Sequence, residues 1–220
     1  MNKKQKVALW CGISLILTFI LWTALLTCID VGDIGPSGSK VGFSSFNGYF
    51  HKLVGVNMTL YTVTDWLGIL PVLVALGFAV LGLVQLIRRK SLFSVDKSIL
   101  LLGAFYITVI ATFIFFERTV INYRPVLIEG VLEASYPSST TLLFSTVMPT
   151  AIIELMPRID SKPLRRVIFF LLSFITLFGV VGRIISGVHW ISDIIGGIVY
   201  SAGLDLILWS LNEKIRKLKK

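Results

Sequence analysis

The stretch VIFFLLSFITLFGVVGRIISGVHWISDIIGGIVYSAGLDLILW, residues 167–209, holds two apolar runs joined by a short polar hinge. Each run is near the roughly 20 residues that a helix needs to cross about 30 Å of hydrocarbon. Arg183, His189 and Asp193 sit at their facing ends. Ionisable side chains are expensive at membrane depth, so such a set is a functional-site hypothesis by default. His189 and Asp193 are i and i+4, so on a helix they share a face and the carboxylate can hold the imidazole. Arg183 offers a forked, permanent cation suited to an oxyanion. An Asp-oriented His beside an Arg suggests nucleophilic attack on a phosphorus centre.

The rest of the chain repeats the apolar theme. Of its 220 residues, 55% are hydrophobic and only 15% charged, and the mean hydropathy is +0.85. A soluble domain of this length could not hide so much apolar surface, so the composition points to a membrane protein. Six candidate spans follow: Val7–Ile29, Asp65–Ile87, Ile99–Phe116, Ser139–Met156, Val167–Ile185 and Trp190–Leu211. The expected fold is all-α, a six-transmembrane-helix bundle in one membrane-embedded domain over residues 1–220. Short loops between several spans imply antiparallel neighbours. The fourth span is the least apolar, with Ser145, Thr146, Pro149 and Thr150, and neighbouring helices would have to satisfy backbone groups freed by Pro149.

The formal charge of +9 is explained by topology. Sixteen of the 21 Lys and Arg residues fall on one side of a six-span arrangement: Lys3, Lys4 and Lys6; Arg88, Arg89, Lys90 and Lys97; Arg158, Lys162, Arg165 and Arg166; Lys214, Arg216, Lys217, Lys219 and Lys220. The other side holds Lys40, Lys52, Arg118, Arg124 and Arg183. The positive-inside rule puts both termini in the cytoplasm. No nucleic-acid partner is implied. The opening apolar run is too long for a usual signal core and lacks a small-x-small cleavage site, so it reads as a retained helix. Cys11 and Cys28 lie on that helix about 25 Å apart at 1.5 Å per residue, too far to bridge each other.

Two outer loops are long. The first, from Asp30 to Thr64, opens with a Gly/Pro/Ser turn cluster. It then places Phe43, Phe46, Phe50, Leu53 and Val54 at helical spacing, as a short helix lying in the interface would. Packing on the bundle and gating of substrate are equally open roles for it. The second loop contains Tyr123-Arg124-Pro125 and then Tyr136-Pro137-Ser138-Ser139-Thr140-Thr141. Pro137 and two serines before an apolar run read as a helix start, which leaves free N–H groups ready for an anion. Arg124, that helix start, Arg183, His189 and Asp193 all fall at the outer ends of spans. Among the blander residues, Asp65-Trp66 anchors the second span at the interface. Glu154 and Asp205 pair with Lys or Arg near the inner ends. Gly196, Gly197, Ser201 and Ala202 give close helix packing, and Trp190 fits an aromatic belt.

These residues resemble the type 2 phosphatidic acid phosphatase family, which is related to the vanadium haloperoxidases. That family has three signatures: a Lys, six residues, then Arg-Pro; a Pro-Ser-Gly-His; and Ser-Arg, five residues, His, three residues, Asp. They map here onto Glu117 through Arg124-Pro125, onto Pro137-Ser138-Ser139-Thr140, and onto Gly182-Arg183 through His189 to Asp193. The resemblance implies a phosphohydrolase that needs no metal or other cofactor. In it His189 attacks phosphorus and becomes a phosphohistidine, while Asp193 fixes the His189 tautomer. Arg124 and Arg183 hold phosphate oxygens, with help from Ser138 and Ser139. The implied partner is a lipid phosphate in the bilayer of the cell membrane, met on its extracytoplasmic face.

Four departures bear on that implication, the mildest being Ser139 where the family has a Gly. Glu117 replaces a Lys, leaving the adjacent Arg118 as an auxiliary cation. Gly182 replaces a Ser. Thr140 replaces the His that protonates the leaving oxygen, and Thr has no proton of useful pKa to give. A lipid alkoxide needs that proton, whereas a lipid monophosphate leaving from a diphosphate does not. The expected activity therefore favours a polyprenyl diphosphate over phosphatidate. The alternative is a catalytically impaired relative that binds lipid phosphate headgroups without turnover. His51, the only other histidine, is the one replacement acid the first loop offers.

Overall fold

A computed structural model describes residues 1–218; Lys219 and Lys220, the last two basic residues of the tail, lie outside the described residues. The helices are α1 (Lys3–Cys28), α2 (Ser44–Val54), α3 (Met58–Leu67), α4 (Ile69–Arg89), α5 (Lys97–Arg118), α6 (Ser139–Leu155), α7 (Lys162–Ser186) and α8 (Ile191–Leu218). Among the described residues there is no β-strand, only isolated bridges in the outer loops. Six segments are long and apolar enough to cross a membrane, with α3 and α4 together forming the second. The expected six-helix membrane architecture is the one observed. The second span starts earlier than expected, at Met58 rather than Asp65, and is broken at Gly68. Pro71 accounts for the break, because it cannot donate to the Leu67 carbonyl and its ring crowds it.

The low hydropathy of the fourth span has a simple cause. α6 and α8 are the inner helices, with 56% and 50% of their apolar windows buried, against 17–22% for the other four spans. Facing protein rather than lipid, they can carry hydroxyls that pair with one another, as Thr146 Oγ1 does with Ser201 Oγ at 2.9 Å. α1 lies antiparallel to α8. Ser210 Oγ donates to the Gln5 carbonyl at one end, and Trp22 Nε1 donates to the Ser192 carbonyl at the other. Gly12 and Gly203 let these backbones touch, since a Cβ on Gly12 would stand 2.8 Å from the Gly203 oxygen. Gly196 also serves close packing, against the Tyr136 ring.

At the end carrying the termini, Arg158 bonds the Glu154 carboxylate at 3.1 Å and Asp96 at 3.4 Å. Glu154 also accepts from Asn212. The expected pairing of Glu154 is therefore present. Asp205 differs: among the described residues it makes no ion pair, and its Oδ1 is buried without a hydrogen-bond partner, the basic residues Arg216 and Lys217 of α8 lying further along in its last turn. At the opposite end, α2 is the short helix expected in the first outer loop. It leaves Phe46, Tyr49 and Leu53 exposed, as an interfacial helix does. Its Asn47 is wholly buried and binds Ser192, which ties the loop to the start of α8.

Candidate active site

The loop before α6 folds back on itself in a way that the sequence pattern did not signal. Arg124 N donates to the Glu133 carbonyl and Ser135 N to the Asn122 carbonyl, with Ile128 and Val131 paired at the tip. This hairpin-like turn sets Arg124 and Ser135 side by side against His189. Asn122, fully buried, holds its base: its Oδ1 accepts from Gly42 N and its Nδ2 donates to Asp193 Oδ1 at 2.9 Å.

His189 is 4% exposed and has one partner on each ring nitrogen. Arg124 Nη1 lies 3.0 Å from Nε2. Arginine only donates, so Nε2 must accept and Nδ1 must carry the hydrogen. Nδ1 is 3.0 Å from Ser135 Oγ, and that hydroxyl donates to Asp193 Oδ2 at 2.6 Å. The expected direct hold of Asp193 on His189 is thus replaced by a hydroxyl relay through Ser135. The reason is local: α8 begins only at Ile191, so His189 lies in the preceding turn and the i, i+4 face rule does not reach it. Asp193 remains the anchor. It is fully buried and accepts from Asn122, Ser135, Trp190 N and Ser192. Burial, followed by the fields of Arg124 and Arg183, pushes the His189 pKa well below the ordinary histidine value. The imidazole is therefore neutral at physiological pH, with its Nε2 lone pair turned to the arginines.

Arg183, in the last turn of α7, has no exposed side-chain surface. Its Nη2 donates to Asp65 Oδ1 and to Thr140 Oγ1, each at 2.6 Å. Its Nε and Nη1 are buried and have no hydrogen-bond partner among the described residues. Its guanidinium lies 4.8 Å from the Tyr61 ring centroid, and that of Arg124 lies 5.9 Å from the same ring. The two cations therefore share one aromatic wall beside His189. Asp65 is thus a site residue rather than an interface anchor, because α3 packs tightly on α7. A Cβ on Gly182 would stand 2.4 Å from Thr64 Cγ2.

The remaining expected residues divide. Ser138 is fully buried and caps α6, accepting from Thr141 N and Thr141 Oγ1. Its hydroxyl is engaged within the helix start. Ser139 lines a narrow pocket with His189, Ser135 and Glu117. Arg118 is exposed and makes no hydrogen bond or ion pair among the described residues, so the structure does not bring it to the site. His51 sits against Trp190, ring centroids 5.4 Å apart, and among the described residues makes no hydrogen bond to an arginine of the site. Burial lowers its pKa. Trp190 is 2% exposed and donates from Nε1 to the Tyr123 carbonyl. It braces the loop instead of joining an aromatic belt. Ser135, Asn122, Tyr61 and Asp65 are the residues that sequence reasoning did not assign to the site.

Leu143 and Val147, about one and two helical turns along α6 from Thr140, line an apolar cleft of about 780 Å³ between α4 and α5. Its walls include Val72, Leu76, Val109 and Ile110.

Residues 118–217 match the family model of the PAP2 superfamily. Among solved structures, the fold is similar to that of the first transmembrane PAP2 type phosphatidylglycerolphosphate phosphatase from Bacillus subtilis. The TM-score is 0.63 and the identity 18%, over 93% of this chain and 97% of that one. At such identity the likeness is one of fold. No curated protein sequence matches the chain.

Proposed function

We propose that this chain, whose residues 118–217 match the PAP2 superfamily model and whose fold is similar to that of a membrane PAP2 phosphatase, hydrolyses a lipid phosphate or diphosphate through a phosphohistidine on His189. The observation that carries this reading is Arg183, a buried guanidinium with two nitrogens unpartnered beside a neutral histidine. Buried N–H groups without partners cost about 1–3 kcal/mol each, which a bound oxyanion would recover. An entering phosphate exchanges for the Arg124 bond at Nε2, and Arg124 and Arg183 hold its oxygens while Nε2 attacks in line. Asp193, acting through Ser135, stabilises the imidazolium character that develops. The free N–H groups at the start of α6, with Ser139, add donors. Water then hydrolyses the intermediate, with no metal required.

The cleft below Thr140 supports a lipid substrate, since it offers an apolar path for a chain whose headgroup lies at His189. The charge sorting of the loops supports an extracytoplasmic site in a multi-pass cell-membrane protein. Thr140 gives its hydroxyl to Arg183 and supplies no acid, which favours a leaving group that departs unprotonated. A polyprenyl diphosphate is therefore preferred to phosphatidate.

Phosphate release by the purified protein is compared across a polyprenyl diphosphate, phosphatidate and phosphatidylglycerolphosphate, the last being the substrate in the name of the Bacillus subtilis enzyme. The diphosphate is expected to be fastest, with a trapped phosphohistidine that His189→Ala abolishes. Faster release from phosphatidate would sink the preference. Saturable binding of all three with no release would instead favour the impaired headgroup-binding alternative.

A further inference from the structure

The two departures from the family signatures nearest Arg183 meet at one short segment, Thr64-Asp65, that neither signature contains. Gly182, where the resemblance expects Ser, leaves the space that Thr64 fills; a Cβ there would be 2.4 Å from Thr64 Cγ2. Thr140, where it expects His, leaves a short hydroxyl on Arg183 Nη2. Asp65, the residue after Thr64, reaches that same nitrogen at 2.6 Å. The segment before it is pinned to the end of α7 by Asn57 N donating to the Ser186 carbonyl at 2.9 Å. A carboxylate thus stands next to the position left without an acid or base. Its side chain is 57% exposed, whereas Arg183 has no exposure at all, so it stands at the open edge of the site.

We infer that Asp65 is the general base of the second chemical step, the hydrolysis of the phosphohistidine. This rests on the reading of His189 as the nucleophile. An aspartate paired with Arg183 as a carboxylate has acceptor oxygens only, so it can take a proton rather than give one. In the first step Nε2 of His189 bonds to phosphorus, the bond to the leaving oxygen breaks, and that oxygen departs as a phosphate oxyanion with no proton from Asp65. In the second step a water approaches from the exposed side and Asp65 takes one of its protons. The water oxygen bonds to phosphorus as the bond to Nε2 breaks, and the electron pair returns to Nε2. Inorganic phosphate leaves, and Asp65 passes its proton to solvent.

Other groups are worse placed. Asp193 accepts four hydrogen bonds and is fully buried. Glu133 stands 3.0 Å from Arg124 Nε, on the hairpin. Glu117 shares the narrow pocket of His189 and Ser139 but touches neither Arg183 nor Thr140 among the described contacts. His51 packs on Trp190.

The test is rapid-quench kinetics of the full chain with a terminally labelled polyprenyl diphosphate, comparing wild type, Asp65→Asn and Asp65→Glu. Asp65→Asn should form the phosphohistidine at the wild-type rate but hydrolyse it roughly 10²-fold more slowly, the lower range for general acid–base catalysis. Labelled enzyme then accumulates, and Asp65→Glu restores part of the hydrolysis. Wild-type hydrolysis in Asp65→Asn overturns the proposal. So does a parallel fall in formation and hydrolysis, which would mean that Asp65 only orients Arg183. Phosphate release by wild type with no histidine-bound label at any time overturns the phosphohistidine reading and the Asp65 proposal with it. That outcome is recognised in the wild-type trace alone.

Discussion

An arginine network stands at each end of α6, and the two are built differently. At the inner end, Arg158 uses all three guanidinium nitrogens: Nε on the Glu154 carbonyl, Nη1 on Asp96, and Nη2 on Ser98 and the Glu154 carboxylate. At the outer end, Arg183 is more deeply buried, yet two of its nitrogens are idle. Burying polar groups is tolerated when they are paired. An arginine with every nitrogen paired fastens helices together, whereas the idle nitrogens of Arg183 are the donors that the proposed function gives to a phosphate.

The comparison is most directly broken at the arginines. Arg183→Ala should lower phosphate release by about 10²–10³-fold, the usual loss for one preorganised oxyanion donor. Arg183→Lys should recover little, because an ammonium lacks the planar fork. Arg158→Ala should leave turnover per folded molecule unchanged. Equal losses at both ends would show that the idle nitrogens carry no meaning.

Ser135→Ala tests the relay next. It leaves His189 Nδ1 and Asp193 without their shared hydroxyl while sparing every phosphate-binding group. Partners that orient a reactive group at one remove typically contribute about 10- to 100-fold. The fall should appear in the rate of phosphohistidine formation, with KM unchanged. A change confined to KM would place Ser135 with the substrate instead.

The spans were legible because lipid demands long apolar runs, and even the inner position of α6 was written in its hydroxyls. The Arg183, His189 and Asp193 set was legible because its residues are neighbours in the chain. What could not be read were contacts between distant segments that have no periodicity. Arg183 meets Asp65 across 118 residues and Asp193 meets Asn122 across 71. Ser135 carries no spacing signal, and the expected helical pairing of His189 with Asp193 assumed a helix that starts two residues too late. Gly182 gave the one available hint of a close neighbour, in the loss of a side chain where the family signature has one.

pH dependence sharpens the outer end further. Because burial and both arginines lower the His189 pKa, the acid limb of kcat/KM should lie below pH 6.5, the ordinary histidine value. Activity is present where the imidazole is neutral and is lost as pH falls through its own pKa. Arg124→Ala removes one of the depressing charges, so the limb should move upward in pH even as the overall rate falls. Arg158→Ala should leave it in place. A limb that stays put in Arg124→Ala would mean that the Arg124 contact at Nε2 does not persist in the working enzyme.

The smallest effect on turnover should come from Glu154, the centre of the inner network. Glu154→Ala leaves Arg158 with Asp96 and Ser98 but deprives it of its nearest carboxylate, and it strips Asn212 of its acceptor. Losing partners for buried polar groups should cost about 1–3 kcal/mol of stability, seen as a lower unfolding temperature in detergent. Glu154→Gln, which keeps an acceptor for Asn212, should cost less. Neither change touches a group at the outer end, so phosphate release per folded molecule should equal that of wild type. If release falls while the protein stays folded, the buried hydroxyls of α6 between Thr146 and Thr150 couple the two ends, and the inner network is part of the machinery rather than its fastening.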